Sequence, residues 1–90
     1  MPLFVVIGTD KAEALQTRLA TREQHLAYIR DTGVVRQAGP FLDGEGQMNG
    51  SLVIIEVADR AAAEGWAAGD PYGQAGLFAK VRIEEWKKVI

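Results

Sequence analysis

The sequence has no cysteine and a single histidine among its 90 residues. Without thiols there is no disulfide staple, no thiolate nucleophile and no cysteine-based zinc or iron–sulfur site. One imidazole is also too few for the usual transition-metal sites, so neither a metal nor a cofactor is expected. No apolar run approaches the roughly 18 residues of a membrane span. The first residues lead into a short apolar segment with no basic stretch or cleavage site, so no signal peptide is expected and the cytoplasm is the default location. Excess charge of one sign is lacking too: 10 Lys and Arg stand against 12 Asp and Glu, a net charge of −2. The basic residues are scattered rather than striped, which disfavours nucleic acid and anionic membrane as partners. Gly44–Gly50 is glycine-rich but lacks the Gly-Lys-Ser/Thr ending of a phosphate loop and precedes no helix, so nucleotide binding is not expected either.

What is present reads as one domain over residues 1–90. Leu3 to Gly8 is a β-branched run, too short for a helix and apolar on both faces. Thr9 and Asp10 offer N-cap chemistry for a helix expected from Lys11 to about Thr32. Leu15, Leu19, Leu26 and Ile29 recur at helical spacing and predict its core face, and Gly33 is placed to end it. Val34 to Leu42 predicts a second strand, interrupted by Gly39-Pro40. A polar loop over residues 43–50 then leads to a third strand, Ser51 to Val57, again apolar on both faces. Asp59 caps a second helix reaching about Ala68, Gly69-Asp70-Pro71 breaks the chain, and Tyr72 to Gly76 reads as a turn. Leu77 to Trp86 closes the order as a strand with Leu77, Ala79, Val81 and Ile83 on its buried face.

This β-α-β-β-α-β order is the ferredoxin-like arrangement, an α+β fold with a four-stranded antiparallel sheet. Two helices cover one face of such a sheet, yet the first and third strands are apolar on both. A second copy of the chain is the simplest cover for the other face, so a homodimer is expected.

Arg18, Arg22 and His25 fall along one flank of the first helix. Two guanidiniums and an imidazole there could hold an anionic ligand and move a proton, since histidine is the side chain that ordinarily titrates near neutral pH. The plainer reading has the arginines reaching water and pairing with Glu23, Asp31 or other acids. Asp70 before Pro71 is a common helix-start pair, but it could equally hold the histidine ring, as carboxylates do in catalytic dyads. Ser51 could donate to a ligand, although no Gly-x-Ser-x-Gly elbow supports it as a nucleophile. Gly39 and Pro40 shape the hairpin or the lip of a site, and Tyr72 could line a pocket or the core.

Taken together, Arg18-x3-Arg22-x2-His25-Leu26, Ala38-Gly39-Pro40, Gly50-Ser51 and Asp70-Pro71-Tyr72 resemble the YciI-like family over essentially the whole chain. The resemblance implies a dimeric α+β barrel of ferredoxin-like subunits and an active site holding a histidine and an aspartate, here His25 and Asp70. Arg18, Arg22 and Ser51 match positions expected near that pocket. Some members of the family are similar to lyases that remove chloride from chlorinated hydroxyquinones, and the fold is similar to that of muconolactone isomerases. The expectation is a cofactor-independent lyase or isomerase acting on a small anionic or aromatic metabolite. The alternative is a small-molecule-binding or accessory dimeric module without turnover.

Overall fold

Two β-branched runs form the middle of the sheet in the computed structural model, which describes residues 1–90. Strand β1 (Leu3–Asp10) and strand β3 (Met48–Glu56) pair antiparallel, with Leu3 opposite Glu56 and Val6 opposite Val53. Strand β2 (Val35–Leu42) flanks β3 and strand β4 (Phe78–Trp86) flanks β1, giving the order β2-β3-β1-β4 with every pairing antiparallel. Between them run helix α1 (Leu15–Thr32), helix α2 (Arg60–Gly69) and the single turn α3 (Pro71–Gln74). The architecture is the ferredoxin-like α+β fold, with α3 standing where a turn is expected. No helix is long and apolar enough to cross a membrane.

Side-chain alternation divides the sheet into two unlike faces. Phe4, Val6, Val53, Ile55 and Val57 point toward the helices and pack with Ala63 and Trp66 of α2 into the core. Leu3, Val5 and Ile7 of β1, with Leu52 and Ile54 of β3, point the other way and are only half-buried. Strand β4 contributes less than its pattern predicts. Leu77, just before the strand, is fully buried and Ile83 packs against the core, but Ala79 and Val81 are exposed. β4 is an edge strand, so its outer positions have a neighbour on one side alone.

Helix α1 departs from expectation in two ways. It begins at Leu15, capped by no side chain, because Glu13 adopts a left-handed conformation (φ 57°) that interrupts the backbone after β1. Asp10 is therefore not its cap: it belongs to β1, and the Lys11 amide beyond it bonds to the Leu77 carbonyl. The helix is also rotated about its axis. Its buried stripe is Arg18, Thr21 and His25, whereas Leu19 and Leu26 are 48% and 42% exposed. Polar side chains can occupy the buried stripe because partners from β1, β3 and α3 meet them there. At the far end Gly33 closes the helix at φ 68°, as expected of a left-handed C-terminal glycine.

Two tertiary hydrogen bonds lock α1 against α2. The Tyr28 hydroxyl donates to the Trp66 carbonyl at 2.8 Å, and the Trp66 indole donates to Thr32 Oγ1 at 3.1 Å. Asp59 caps α2 as its position predicts, accepting from the Ala62 amide at 2.9 Å.

Candidate functional site

The junction between α2 and α3 sets the site. Asp70 ends one helix and opens the next, and its Oδ1 accepts from the Tyr72 amide at 3.0 Å with Pro71 at the first helical position. The same oxygen lies 2.8 Å from Nδ1 of His25, and both side chains are buried. The cap and the histidine partner, weighed above as separate roles, are thus both filled by one carboxylate. With Nδ1 engaged, His25 Nε2 makes no hydrogen bond within the protein. No buried side-chain nitrogen or oxygen is left unpartnered, so Nε2 must reach open space, and His25 lines a cavity.

The Tyr72 ring stacks on the imidazole, with centroids 4.0 Å apart and planes at 20°, and Phe78 meets Tyr72 edge-on. The Arg18 guanidinium sits with Cζ 4.7 Å from the Tyr72 centroid. It is 2% exposed and makes a two-pronged pair with Asp10, Nε to Oδ2 and Nη2 to Oδ1, each at 2.8 Å. Its Nη2 also donates to Ser51 Oγ at 2.9 Å. Burial alone would lower the Arg18 pKa, but the hydrogen bonds and charge of Asp10 outweigh it and the pKa is raised. Arg22, one turn along α1, is exposed and has no ion-pair partner.

These groups surround a cavity of about 160 Å³ between α1 and the β2–β3 hairpin. Arg18, Arg22, His25, Ser51 and Tyr72 are its polar lining, and Leu26, Ile29, Ala38, Pro40, Met48 and Val53 its apolar lining, with Gly39 completing it. Asp70 stands behind the histidine rather than in the wall. Pro40 lies opposite Ser51 across the strand pair, on an edge strand where its missing amide costs no ladder bond. Gly39 contributes no room, since a Cβ there would meet nothing within 4 Å. A volume of this order suits a single ring, as about 150 Å³ suffices for benzene.

Sequence reasoning missed Asp10, whose cap-like position hid its pairing with Arg18 eight residues on. It also placed Leu26 in the core, where the structure makes it a half-exposed cavity wall; Ile29 packs against the core as expected and lines the cavity as well. A signal for Asp10 existed in Arg18 itself, a cation on an apolar-flanked helix face that needs an acid nearby.

The model of the YCII-related domain matches residues 2–87. The chain belongs to the YCII-related family. It is 38% identical over 96 residues to Protein YciI of Escherichia coli O6:H1, covering 97% of this chain and 98% of that one. An uncharacterised protein of Haemophilus influenzae is 38% identical over 95 residues, covering 96% and 97%. Among solved structures, a 5-chloro-2-hydroxyhydroquinone dehydrochlorinase from Burkholderia phenoliruptrix, in complex with 2,5-dihydroxybenzoquinone, superposes with a TM-score of 0.87 at 31% identity. That match covers 94% of this chain and 93% of the dehydrochlorinase. An antibiotic biosynthesis monooxygenase shares the fold alone, with a TM-score of 0.62 at 17% identity and all of both chains covered.

The two tyrosines of this YCII-related chain give a test of the packing around the site. Burial raises the Tyr72 phenol above the ordinary tyrosine range, against the lowering pull of the Arg18 and Arg22 charges. Burial also raises Tyr28, with help from the Asp70 charge. A raised folded-state value favours the neutral phenol in the folded protein. The stability this contributes is therefore complete below the unfolded value of about 10 and is lost as pH rises through the folded one. In an ultraviolet titration, tyrosinate should appear only above about pH 10, together with loss of the helical circular dichroism signal. Ionisation below that pH, with the helix signal intact, would contradict the burial described.

Proposed function

We propose that this protein is an acid–base enzyme of the lyase or isomerase type acting on a small, anionic, single-ring compound. The observation that carries the reading is the His25–Asp70 pair, closed at Nδ1 and open to the cavity at Nε2. Asp70 holds the imidazole in one orientation, as an orienting carboxylate does in triads. Nε2 then takes a proton from a ligand hydroxyl or carbon acid. The oxyanion or enolate so formed lies beside Arg22, the cation with no internal partner. If the imidazolium returns the proton to another atom of the same ring, the outcome is isomerisation. If the electron pair instead expels a halide, the proton leaves later to water and the net change is loss of the hydrogen halide. Both courses need proton transfer and anion stabilisation, which these side chains supply.

The likeness to a dehydrochlorinase bound to 2,5-dihydroxybenzoquinone supports a ligand of the hydroxyquinone class. The cavity agrees in size and in its mixed polar and apolar lining. The test is to offer the protein 5-chloro-2-hydroxyhydroquinone and follow chloride release, and to measure 2,5-dihydroxybenzoquinone binding by calorimetry. Saturable binding with chloride release supports the enzyme. Binding with no change to any hydroxyquinone offered would favour a binding module.

We infer further that the chain works as a homodimer. The half-buried row of Leu3, Val5, Ile7, Leu52 and Ile54 is an apolar patch with Arg36 and Glu56 at its border, and a small domain gains stability by covering such a surface. Sedimentation should give twice the mass of one chain. Ile54→Arg, which puts a charge in the middle of the patch, should shift the protein to monomer, and a monomeric wild type would refute the pairing.

A further inference from the structure

Resting on the anion-pocket reading above, we propose that Ser51 is the hydrogen-bond donor that fixes the ligand's orientation, and that Arg18 is a positioning residue rather than an anion binder. A hydroxyl has one hydrogen to give and lone pairs to receive. Arg18 Nη2 donates to Ser51 Oγ at 2.9 Å, so it fills a lone pair of that oxygen. The Ser51 hydrogen has no acceptor within the protein, and Ser51 lines the cavity. The arginine thus turns the hydroxyl into a donor aimed at the ligand.

Arg18 itself is poorly placed to take the ligand's charge. Three of its five N–H groups are spent, two on Asp10 and one on Ser51, which leaves only the two on Nη1 without a partner in the protein. Both charges of the Arg18–Asp10 pair are buried, with side chains 2% and 4% exposed, and they cancel. The cavity is left with Arg22 as its uncompensated cation. Recognition divides accordingly: Arg22 attracts an anionic oxygen, and Ser51 selects where a second oxygen, an acceptor on the same ring, must lie. The class of ligand this fits is a ring carrying two or more oxygens, one ionised and another able to accept. Hydroxyquinones have that pattern, and ring monocarboxylates without a further acceptor do not.

The experiment is a calorimetric binding series with 2,5-dihydroxybenzoquinone on the full chain: wild type, Ser51→Ala, Arg18→Lys, the double variant, and Arg22→Gln. Ser51→Ala should weaken binding about tenfold, the effect of one hydrogen bond to a charged or polar acceptor. Arg18→Lys, whose ammonium cannot bridge Asp10 and Ser51 in the same fork, should weaken binding comparably in the native background and by less than about twofold once Ser51 is alanine. That non-additivity is not expected of a merely structural arginine, nor of one that touches the anion. An unchanged Kd in Ser51→Ala, or an equal loss from Arg18→Lys in both backgrounds, overturns the proposal. If Arg22→Gln abolishes binding while Ser51→Ala leaves the Kd unchanged, the anion pocket stands and the Ser51 role falls. No binding to the wild type removes both. Should Arg18→Lys fail to fold, Ser51→Ala decides the donor role alone, because it leaves the Asp10–Arg18 pair intact.

Discussion

Replacing His25 by glutamine is expected to lower turnover of a hydroxyquinone substrate by about 10²–10⁴-fold, the usual contribution of a positioned general acid or base. Glutamine keeps much of the size of the ring and can still hydrogen-bond to Asp70, so the thermal midpoint should move little. Binding of 2,5-dihydroxybenzoquinone should survive, because Arg22 and Ser51 remain. Asp70→Asn should fall short of that loss in rate but cost more in stability, since Asp70 also caps α3 and an amide accepts less well from the Tyr72 N–H. Steady-state rates and thermal melts on the same preparations separate the two effects. A His25→Gln variant with near wild-type turnover would end the acid–base reading and leave the pocket as a binding site.

The second large effect concerns stability. Arg18→Met should destabilise the fold by about 3–5 kcal/mol, because it leaves the Asp10 carboxylate buried without its partner. Against a total of about 5–15 kcal/mol for an ordinary domain, a loss of that size brings the protein close to unfolding. The double replacement Asp10→Leu and Arg18→Met removes both charges and should recover most of the loss, since apolar pairs often equal or better a buried ion pair. Urea unfolding of the three proteins measures it. A single Arg18→Met variant as stable as the wild type would mean that water reaches Asp10 freely. The recovered double variant should still bind ligand weakly, because Ser51 would have lost the group that orients it.

How far the sequence foretells these features varies with the physics of each. The sheet is legible because β-branched runs of fixed length, bounded by glycine and polar residues, leave few alternatives for Leu3–Gly8 and Ser51–Val57. Asp70 is legible as a cap, since capping acts between close neighbours along the chain. Its contact with His25 spans 45 residues, and nothing in local pattern gives that distance. The resemblance carried by several short motifs in a shared order is what implies it. The face of α1 departs from its apolar pattern for a physical reason: apolar residues at helical spacing usually mark the core, but here Asp10, Ser51 and Asp70 make a polar stripe the better one to bury. Leu19 and Leu26 are left outside it, one exposed on the helix flank and the other at the cavity wall. The role of Asp10 is hidden because a cap signal is local, whereas the left-handed Glu13 that displaces the helix start is not apparent from residue type.

One feature of the site can be followed without any substrate. Asp70 Oδ1 receives both the histidine nitrogen and the Tyr72 amide. That amide's hydrogen can exchange with deuterium only when the carboxylate lets go. Its exchange rate is therefore a clock for the opening of the pair, and slowing on addition of a ligand would report engagement of the site. A single backbone proton thus allows a compound collection to be ranked before any reaction is known.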